Sequence, residues 1–121
     1  MPLNDFFTYS LTESTTDKLK ARITIDGEHR LFEGHFPGFP VTPGVVLLEI
    51  TRQILGKALG KDLMLSGAKD IKFTRPVIPA QHTEIDLEMN IDKADGEILV
   101  NAVFSGEDII FTKIRGRYRE V

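Results

Sequence analysis

Two ionisable residues, His35 and Glu49, stand in surroundings that call for a chemical explanation. His35 lies in a segment, residues 33–44, that holds three prolines and three glycines, and Glu49 interrupts an aliphatic run at 45–50. Neutral imidazole accepts a proton near neutral pH and is the commonest general base. A carboxyl group in an apolar pocket has a raised pKa and can donate a proton. Together, His35 and Glu49 predict a base and an acid that transfer protons.

Each of these two residues also has a simpler interpretation. Most histidines are not catalytic, so His35 could merely form hydrogen bonds within its loop. Arg52 lies three residues after Glu49 on the same helix face and could form an ion pair that keeps the carboxylate ionised. Gln53, one residue further on, could orient the carboxyl group or a water. The sequence leaves the ion pair and the free acid as equal alternatives.

The start of the helix that carries Glu49 supplies a third candidate group. Thr42 is suited to cap the helix, Pro43 to its first position and Gly44 to its second. We predict that the apolar helix runs from Val45 to about Leu59 and that Gly60 ends it. The first amides of a helix have no intrahelical acceptor and lie at its positive end. The amide of Gly44 could therefore polarise a substrate carbonyl, although Gly44 could also serve a steric purpose only. A base, an acid and such an amide suit the elimination of water from a β-hydroxy carbonyl compound.

The rest of the chain predicts an α+β fold in one domain, residues 1–121. The predicted helix is apolar on nearly every side, which indicates a buried helix, and almost every other segment has the alternating pattern of a strand. The predicted strands are Lys18–Ile25, Ala68–Arg75, Thr83–Ile91, Glu97–Phe104 and Ile109–Arg119. Pro2–Tyr9 is expected to pack on the domain and Thr12–Asp17 to form a polar turn. Turns are also expected at Asp95-Gly96 and Ser105-Gly106. Because one small sheet cannot cover such a helix, we expect a homodimer.

Composition excludes several classes of function. The net charge of −3 argues against bulk nucleic-acid binding, and the absence of cysteine rules out disulfides and thiolate chemistry. The three histidines, at 29, 35 and 82, lack the short spacing of a metal-binding pair, so no metal is expected. With no apolar run as long as a membrane span and no signal peptide at the start, the expected location is the cytoplasm.

Several segments together resemble a known family. Gly34-His35-Phe36-Pro37-Gly38, Pro43-Gly44-Val45, Leu48-Glu49 with Gln53, and Ile71–Pro79 are similar to the signature of the β-hydroxyacyl-acyl carrier protein dehydratases, which have the hot-dog fold. The resemblance is detailed over Phe32–Pro79. It implies a curled antiparallel sheet around one central helix. Arg52 departs from the family pattern, which usually has a small or apolar residue there.

The resemblance also implies a reaction. In a dimer, or a larger assembly of dimers, His35 of one subunit would meet Glu49 of the other. His35 would take the α-proton of a (3R)-3-hydroxyacyl thioester, and Glu49 would protonate the departing hydroxyl to leave a trans-2-enoyl thioester. The Gly44 amide would polarise the thioester carbonyl, and the Val41 carbonyl would orient the imidazole. The pocket residues implied beside them are Gln53, Phe36, Phe39 and Pro43. The only cofactor would be the phosphopantetheine of the acyl carrier protein, in fatty-acid synthesis or a specialised lipid or polyene pathway.

An acidic carrier would need a basic surface. Four cations alternate along the last predicted strand, Lys113, Arg115, Arg117 and Arg119, with Lys72 and Arg75 expected near them. The alternative is an ordinary solvated strand face balanced by neighbouring acids. Three other functions also stay open: a thioesterase, an enoyl isomerase, whose relatives more often have aspartate at the position of Glu49, and a non-catalytic partner subunit whose Glu49 is neutralised by Arg52.

Overall fold

The computed structural model describes residues 6–26, 42, 44–79 and 82–121. Within these ranges, six strands and one helix follow one another along the chain. They are β1 (Phe7–Ser14), β2 (Lys18–Ile25), α1 (Gly44–Leu59), β3 (Leu63–Phe73), β4 (Glu84–Ala94), β5 (Glu97–Gly106) and β6 (Ile109–Glu120). The predicted α+β class and the predicted helix are confirmed.

The strands form one antiparallel sheet in the order β1-β2-β4-β5-β6-β3. Because α1 connects β2 to β3, which is the far edge, the chain passes three strands of the sheet, β4, β5 and β6, at this point. The sheet is open, with β1 and β3 as its edges. This crossover lets one face of the sheet pack against α1.

The core lies between α1 and the inner face of the sheet. Alternation correctly predicted the inner faces of two strands, since their apolar residues are all at most 7% exposed. These residues are Leu19, Ala21, Ile23 and Ile25 of β2 and Ile85, Leu87, Met89 and Ile91 of β4. They join the buried residues of α1 in one hydrophobic cluster.

Local signals at the end of α1 were predicted correctly, but the predicted cap at its start was not. Gly60 has a φ of +67°, Lys61 N donates to Gly56 O at 2.9 Å and Gly60 N to Lys57 O at 3.3 Å, which is a Schellman motif. At the other end, Thr42 Oγ1 is buried with no hydrogen-bond partner in the described structure, so it does not cap the helix. Thr42 instead forms a β-bridge with Val77, and the helix begins two residues later, at Gly44.

Three strand predictions need correction. Thr12–Asp17 is not all turn, because Thr12–Ser14 extend β1, which pairs with β2. Strand β3 begins at Leu63, five residues before the predicted start at Ala68, and pairs along β6 with two register shifts. The Ser105-Gly106 turn lies at Glu107-Asp108 instead, since Gly106 pairs with Ile109. The Asp95-Gly96 hairpin is confirmed, with both residues at positive φ.

Strand β6 departs from simple alternation at Phe111. Phe104 pairs with Thr112 and Ser105 with Ile110, so Phe111 is an extra residue, a β-bulge. The bulge turns Phe111 into the core at 1% exposure and leaves Ile110 outside at 42%, whereas strict alternation with the predicted cations Lys113 and Arg115 would put Phe111 outside and Ile110 inside. Beyond the bulge the predicted alternation holds, with the cations outside and Ile114 and Tyr118 inside.

Within one chain, α1 is not buried on all sides as its apolar sequence predicts. Val45 is 56% exposed and Leu48 is half-buried, and Glu49 and Arg52 continue the same strip along the helix. The sheet covers only the opposite side, from Val46 to Gly56. No helix in the described ranges is long and apolar enough to cross a membrane.

Candidate functional site

Glu49 is the centre of a compact polar cluster on the uncovered strip of α1. Its side chain is 13% exposed, and Arg52 binds it through two hydrogen bonds of 2.6 Å, from Nε to Oε1 and from Nη2 to Oε2. Gln53 Nε2 donates to Oε2 at 3.1 Å. The helix itself brings these groups together, because residues three and four positions apart share one face. The alternative that the sequence left open is therefore realised: Arg52 reaches Glu49.

The contact with Arg52 governs the ionisation of Glu49. Hydrogen bonds from the Arg52 guanidinium hold the pKa of the Glu49 carboxyl below its ordinary value, against the opposing effect of burial. Arg52 also donates from Nη1 to the Leu63 carbonyl at 3.1 Å, which ties the guanidinium to the start of β3. While this pair is closed, Glu49 is an anion and has no proton to donate near neutral pH.

A small cavity adjoins Glu49. Its volume is about 190 Å³, and it is lined by Val45, Leu48, Glu49, Arg52, Leu65 and Tyr118. Tyr118, from the inner face of β6, was not predicted as a site residue. The alternation of β6 places Tyr118 on the face opposite the cations. No local signal indicates which part of α1 it packs against, because it lies 69 positions after Glu49.

A second cavity, of about 310 Å³, lies where α1 begins. Its wall includes Gly44, Phe73, Arg75 and Thr42, whose buried hydroxyl is unpartnered in the described structure. A Cβ added at Gly44 would lie only 2.5 Å from Phe73 Cε1, so the missing side chain leaves room for the phenyl ring. Gly44 thus has the steric role considered above, because the half-exposed Phe73 ring occupies the place of a side chain there.

The other half of the predicted site lies outside the described residues. This applies to His35, Val41, Phe36, Phe39 and Pro43. The structure therefore brings together Glu49, Gln53 and Arg52, and it places Gly44 at the opening of the same helix. Among the described residues, no group of three or more His, Asp or Glu side chains is arranged to hold a metal ion.

The predicted cations line the outer face of β6. Within the described ranges, none of Lys113, Arg115, Arg117 and Arg119 has a carboxylate oxygen within 4 Å. Arg115 Nε donates to the neutral Asn101 at 3.0 Å, and Arg117 lies over Gly67, where an added Cβ would be 2.6 Å from Nη2. A shallow groove of about 410 Å³ runs between these two arginines and Lys69.

The two halves of the outer sheet face differ in charge. On β2 and β4, cations pair with acids across the strands, Lys18 with Glu88 at 3.1 Å and Arg22 with Asp86 at 3.1 Å. On β6 and β3 the cations are in excess, and Lys72 lies opposite Lys113 in the strand register, although it also pairs with Asp70 at 3.9 Å. Arg75 is not on this face. Acids do lie near these cations, since Asp70 is opposite Arg115 in the register and Asp92 lines the groove with Arg115 and Arg117, so the interpretation of a balanced strand face stays open.

Comparison with known proteins assigns the family. The ApeI-like family, described as ApeI dehydratase, matches residues 11–111. The 3-hydroxyacyl-[acyl-carrier-protein] dehydratase FabZ of Hydrogenobaculum sp. is 34% identical over 98 residues, which are 69% of this chain and 66% of the relative. The enzyme of the same name from Haemophilus influenzae PittEE is 35% identical over 79 residues, 59% of this chain and 53% of the relative. The chain belongs to the ApeI-like dehydratase family, as the sequence signature indicated.

The fold has a matching solved structure. The dehydratase heterocomplex ApeI:P from Xenorhabdus doucetiae contains a chain that superposes with a TM-score of 0.72 at 17% identity, over 93% of this chain and 99% of that one. The predicted hot-dog fold is thereby confirmed. The matches to the two curated enzymes above span only about half to two thirds of those enzymes' length.

Proposed function

We propose that this protein dehydrates (3R)-3-hydroxyacyl thioesters to trans-2-enoyl thioesters, with the acyl group carried on the phosphopantetheine of an acyl carrier protein. The observation that carries the proposal is the position of Glu49, a carboxyl group that lines a small cavity beside Val45, Leu48 and Leu65 on the helix of a dehydratase-family fold. His35 takes the C2 proton, the C3–O bond breaks as the C2–C3 double bond forms, and Glu49 protonates the departing hydroxyl to give water. The Gly44 amide stabilises the thioester oxygen in this scheme. No further cofactor takes part.

We infer that the functional unit is a homodimer. In one chain Val45 is exposed and Leu48 is half-buried, although large aliphatic side chains on a helix are ordinarily buried. A second copy on this strip of α1 would cover it and would bring its own His35 loop towards Glu49. Each active site would then combine His35 of one subunit with Glu49 of the other.

The first experiment tests the reaction. We incubate the protein with a 3-hydroxyacyl carrier-protein thioester and follow the loss of water by mass spectrometry, with His35→Ala, Glu49→Gln and the exposed-site control Lys57→Gln alongside. The expected result is enoyl formation by the wild type and by Lys57→Gln, and a loss of at least about a hundredfold in the two site variants. Release of free acid would favour a thioesterase, and a shifted double bond an isomerase.

The second experiment tests the shared site. Inactive His35→Ala and Glu49→Gln chains are co-expressed with different tags and purified as mixed dimers. If His35 and Glu49 come from different subunits, each mixed dimer contains one intact site, and up to about half of the wild-type activity returns. If both residues come from one chain, the mixed dimers stay inactive.

A second candidate function follows from Arg52. Because the ion pair keeps Glu49 ionised, the chain could be a partner subunit that binds acyl carrier protein without catalysis, and the related ApeI:P structure is named a heterocomplex. The reaction assay separates the two functions. A wild type that leaves the substrate intact, and gains no activity as Arg52→Met, supports the partner subunit.

The outer face of β6 is our candidate for carrier docking. Its cations Lys113, Arg115 and Arg117, which form no ion pair within the described part of the chain, complement an acidic partner and would speed association at low salt. We expect Arg115→Glu with Arg117→Glu to raise KM for the carrier-bound substrate about tenfold while kcat is unchanged. The same double substitution should not alter KM for a substrate whose acyl group is carried on free pantetheine. The control Lys57→Glu should leave KM for the carrier-bound substrate unchanged. Equal KM values of the wild type and the double arginine variant for the carrier-bound substrate would contradict this role.

A further inference from the structure

Tyr118 carries a buried polar group that the reaction described above does not use. The residue is 0% exposed, and its hydroxyl has no hydrogen-bond partner in the described structure. Leaving a buried hydroxyl unpaired costs about 1–3 kcal/mol, and phenylalanine would fill the same space without that cost. A tyrosine at such a position needs an explanation.

The surroundings of Tyr118 connect it to the candidate acid. Tyr118, Glu49 and Arg52 are the three polar members of the cavity of about 190 Å³, whose other walls are aliphatic. Burial, reinforced by the negative charge of Glu49, raises the pKa of Tyr118 to about 12, and the charge of Arg52 acts in the opposite direction. The phenol therefore stays protonated over the whole physiological range, as a permanent neutral donor beside Glu49.

Arg52 is the more exposed partner of the closed pair. Its side chain is 33% exposed, whereas that of Glu49 is 13% exposed. If the pair opens, the Arg52 guanidinium can therefore move into solvent with little new apolar surface exposed, whereas movement of the more buried Glu49 carboxylate would uncover the cavity wall. If Arg52 leaves, Glu49 keeps only Gln53 from its own helix, and Tyr118 is the polar group that faces it from the sheet.

We propose that Tyr118 is a positioning residue for Glu49, which takes a hydrogen bond from the Tyr118 hydroxyl when Arg52 moves away. The inference rests on the proposed role of Glu49 as the acid. A neutral partner holds the carboxyl group in place without the positive charge that keeps it ionised. Tyr118 gives up no proton in this exchange: Glu49 takes its proton from water and later passes it to the departing hydroxyl.

The test measures the titration of Glu49 by carboxyl ¹³C NMR, in the full chain and without substrate. Four proteins are compared: wild type, Tyr118→Phe, Arg52→Met and the double variant. In the wild type Glu49 should titrate below its ordinary range, and Tyr118→Phe should change this little, since Arg52 dominates. In Arg52→Met the pKa should rise, and Tyr118→Phe in that background should raise it by about one further unit, because a donor to the charged form is lost.

The controls make the result specific. Tyr9→Phe, at the only other tyrosine of the chain, should leave the Glu49 pKa unchanged in either background. Identical Glu49 titrations in Arg52→Met and the double variant would overturn the inference. Should Arg52→Met not fold, Arg52→Gln replaces it in the same comparison.

Activity supplies an independent measurement. Tyr118→Phe should lower kcat about five- to tenfold with KM unchanged, while its melting temperature stays equal or rises because an unpaired buried hydroxyl is gone. An unchanged kcat would count against the role. If the NMR contact is found but no enoyl product forms, the proposed function fails and the contact stands, so the two failures are distinguishable.

Discussion

The ion pair between Arg52 and Glu49 makes a quantitative prediction about stability. In Arg52→Met the flexible apolar side chain keeps most of the packing, but Glu49 loses both 2.6 Å hydrogen bonds and the compensating charge. Removing one partner of a fully buried pair costs about 3–5 kcal/mol, because an uncompensated charge stays behind. Since a third of the Arg52 side chain is exposed, water can replace part of the loss, and we expect about 2 kcal/mol at pH 7.

The predicted loss depends on pH with a definite sign. In the wild type the pKa of Glu49 is lowered from 4.5, so its stabilising contribution is present above pH 4.5 and disappears as the pH falls through the folded-state pKa. In Arg52→Met the apolar cavity raises the Glu49 pKa, so its ionisation opposes folding at neutral pH. The difference in unfolding free energy between the two proteins should therefore shrink steadily as the solution is acidified.

Urea denaturation at pH 7 and pH 4 measures both effects. Lys57→Met, an exposed lysine on the same helix, is the matched control and should change stability by less than about 0.5 kcal/mol at either pH. A loss in Arg52→Met that is equal at the two pH values would show that packing, not the charge of Glu49, is responsible. No loss at pH 7 would refute the ion pair as a stabilising contact.

Three further predictions concern the helix ends and Tyr118. Gly56→Ala should gain about 1 kcal/mol of helix propensity, but its Cβ would lie 2.8 Å from the Lys61 backbone oxygen. We therefore expect a lower melting temperature than that of the wild type, measured by circular dichroism, and a higher one would contradict the geometry. Gly44→Ala should lose about 1 kcal/mol through its contact with Phe73, whose exposed ring can move; Phe73→Ala should cancel that loss, and a loss that persists in the double variant would place the strain elsewhere. Tyr118, with a pKa of about 12, should keep its stabilising contribution below pH 10 and lose about 2 kcal/mol of it as the pH rises to 12; parallel alkaline unfolding curves for wild type and Tyr118→Phe would exclude this.

Much of the fold was predictable because its signals are local. Alternation places Leu19 and Met89 in the core, and an Asp-Gly pair at 95–96 forms the hairpin, since each depends on a few neighbouring residues. The bulge at Phe111 was not predictable. It depends on the register with β5, in which Phe104 pairs with Thr112, and on its carbonyl accepting bonds from Thr74 and Arg75 after β3.

The candidate site divides in the same way. Residue types and spacing named Glu49, Arg52 and Gln53, because groups three and four apart on a helix are neighbours in any fold. They could not decide between a free acid and an ion pair, since the choice depends on how far the sheet buries the carboxylate and on the Leu63 carbonyl that holds Arg52. The roles of His35 and the loop residues stay predictions.

By itself, the sequence determined the α+β class, the single helix with its glycine stop and the membership of a dehydratase family. These follow from periodicity, turn chemistry and a contiguous motif, each of which depends only on residues close together in the sequence. Only the tertiary structure decided that Tyr118 lines a cavity with Glu49, that Thr42 pairs with Val77 instead of capping the helix, and that, among the described residues, no carboxylate oxygen lies within 4 Å of the β6 cations. Each of these joins residues distant in sequence, and such contacts depend on strand order and register, which local patterns do not specify.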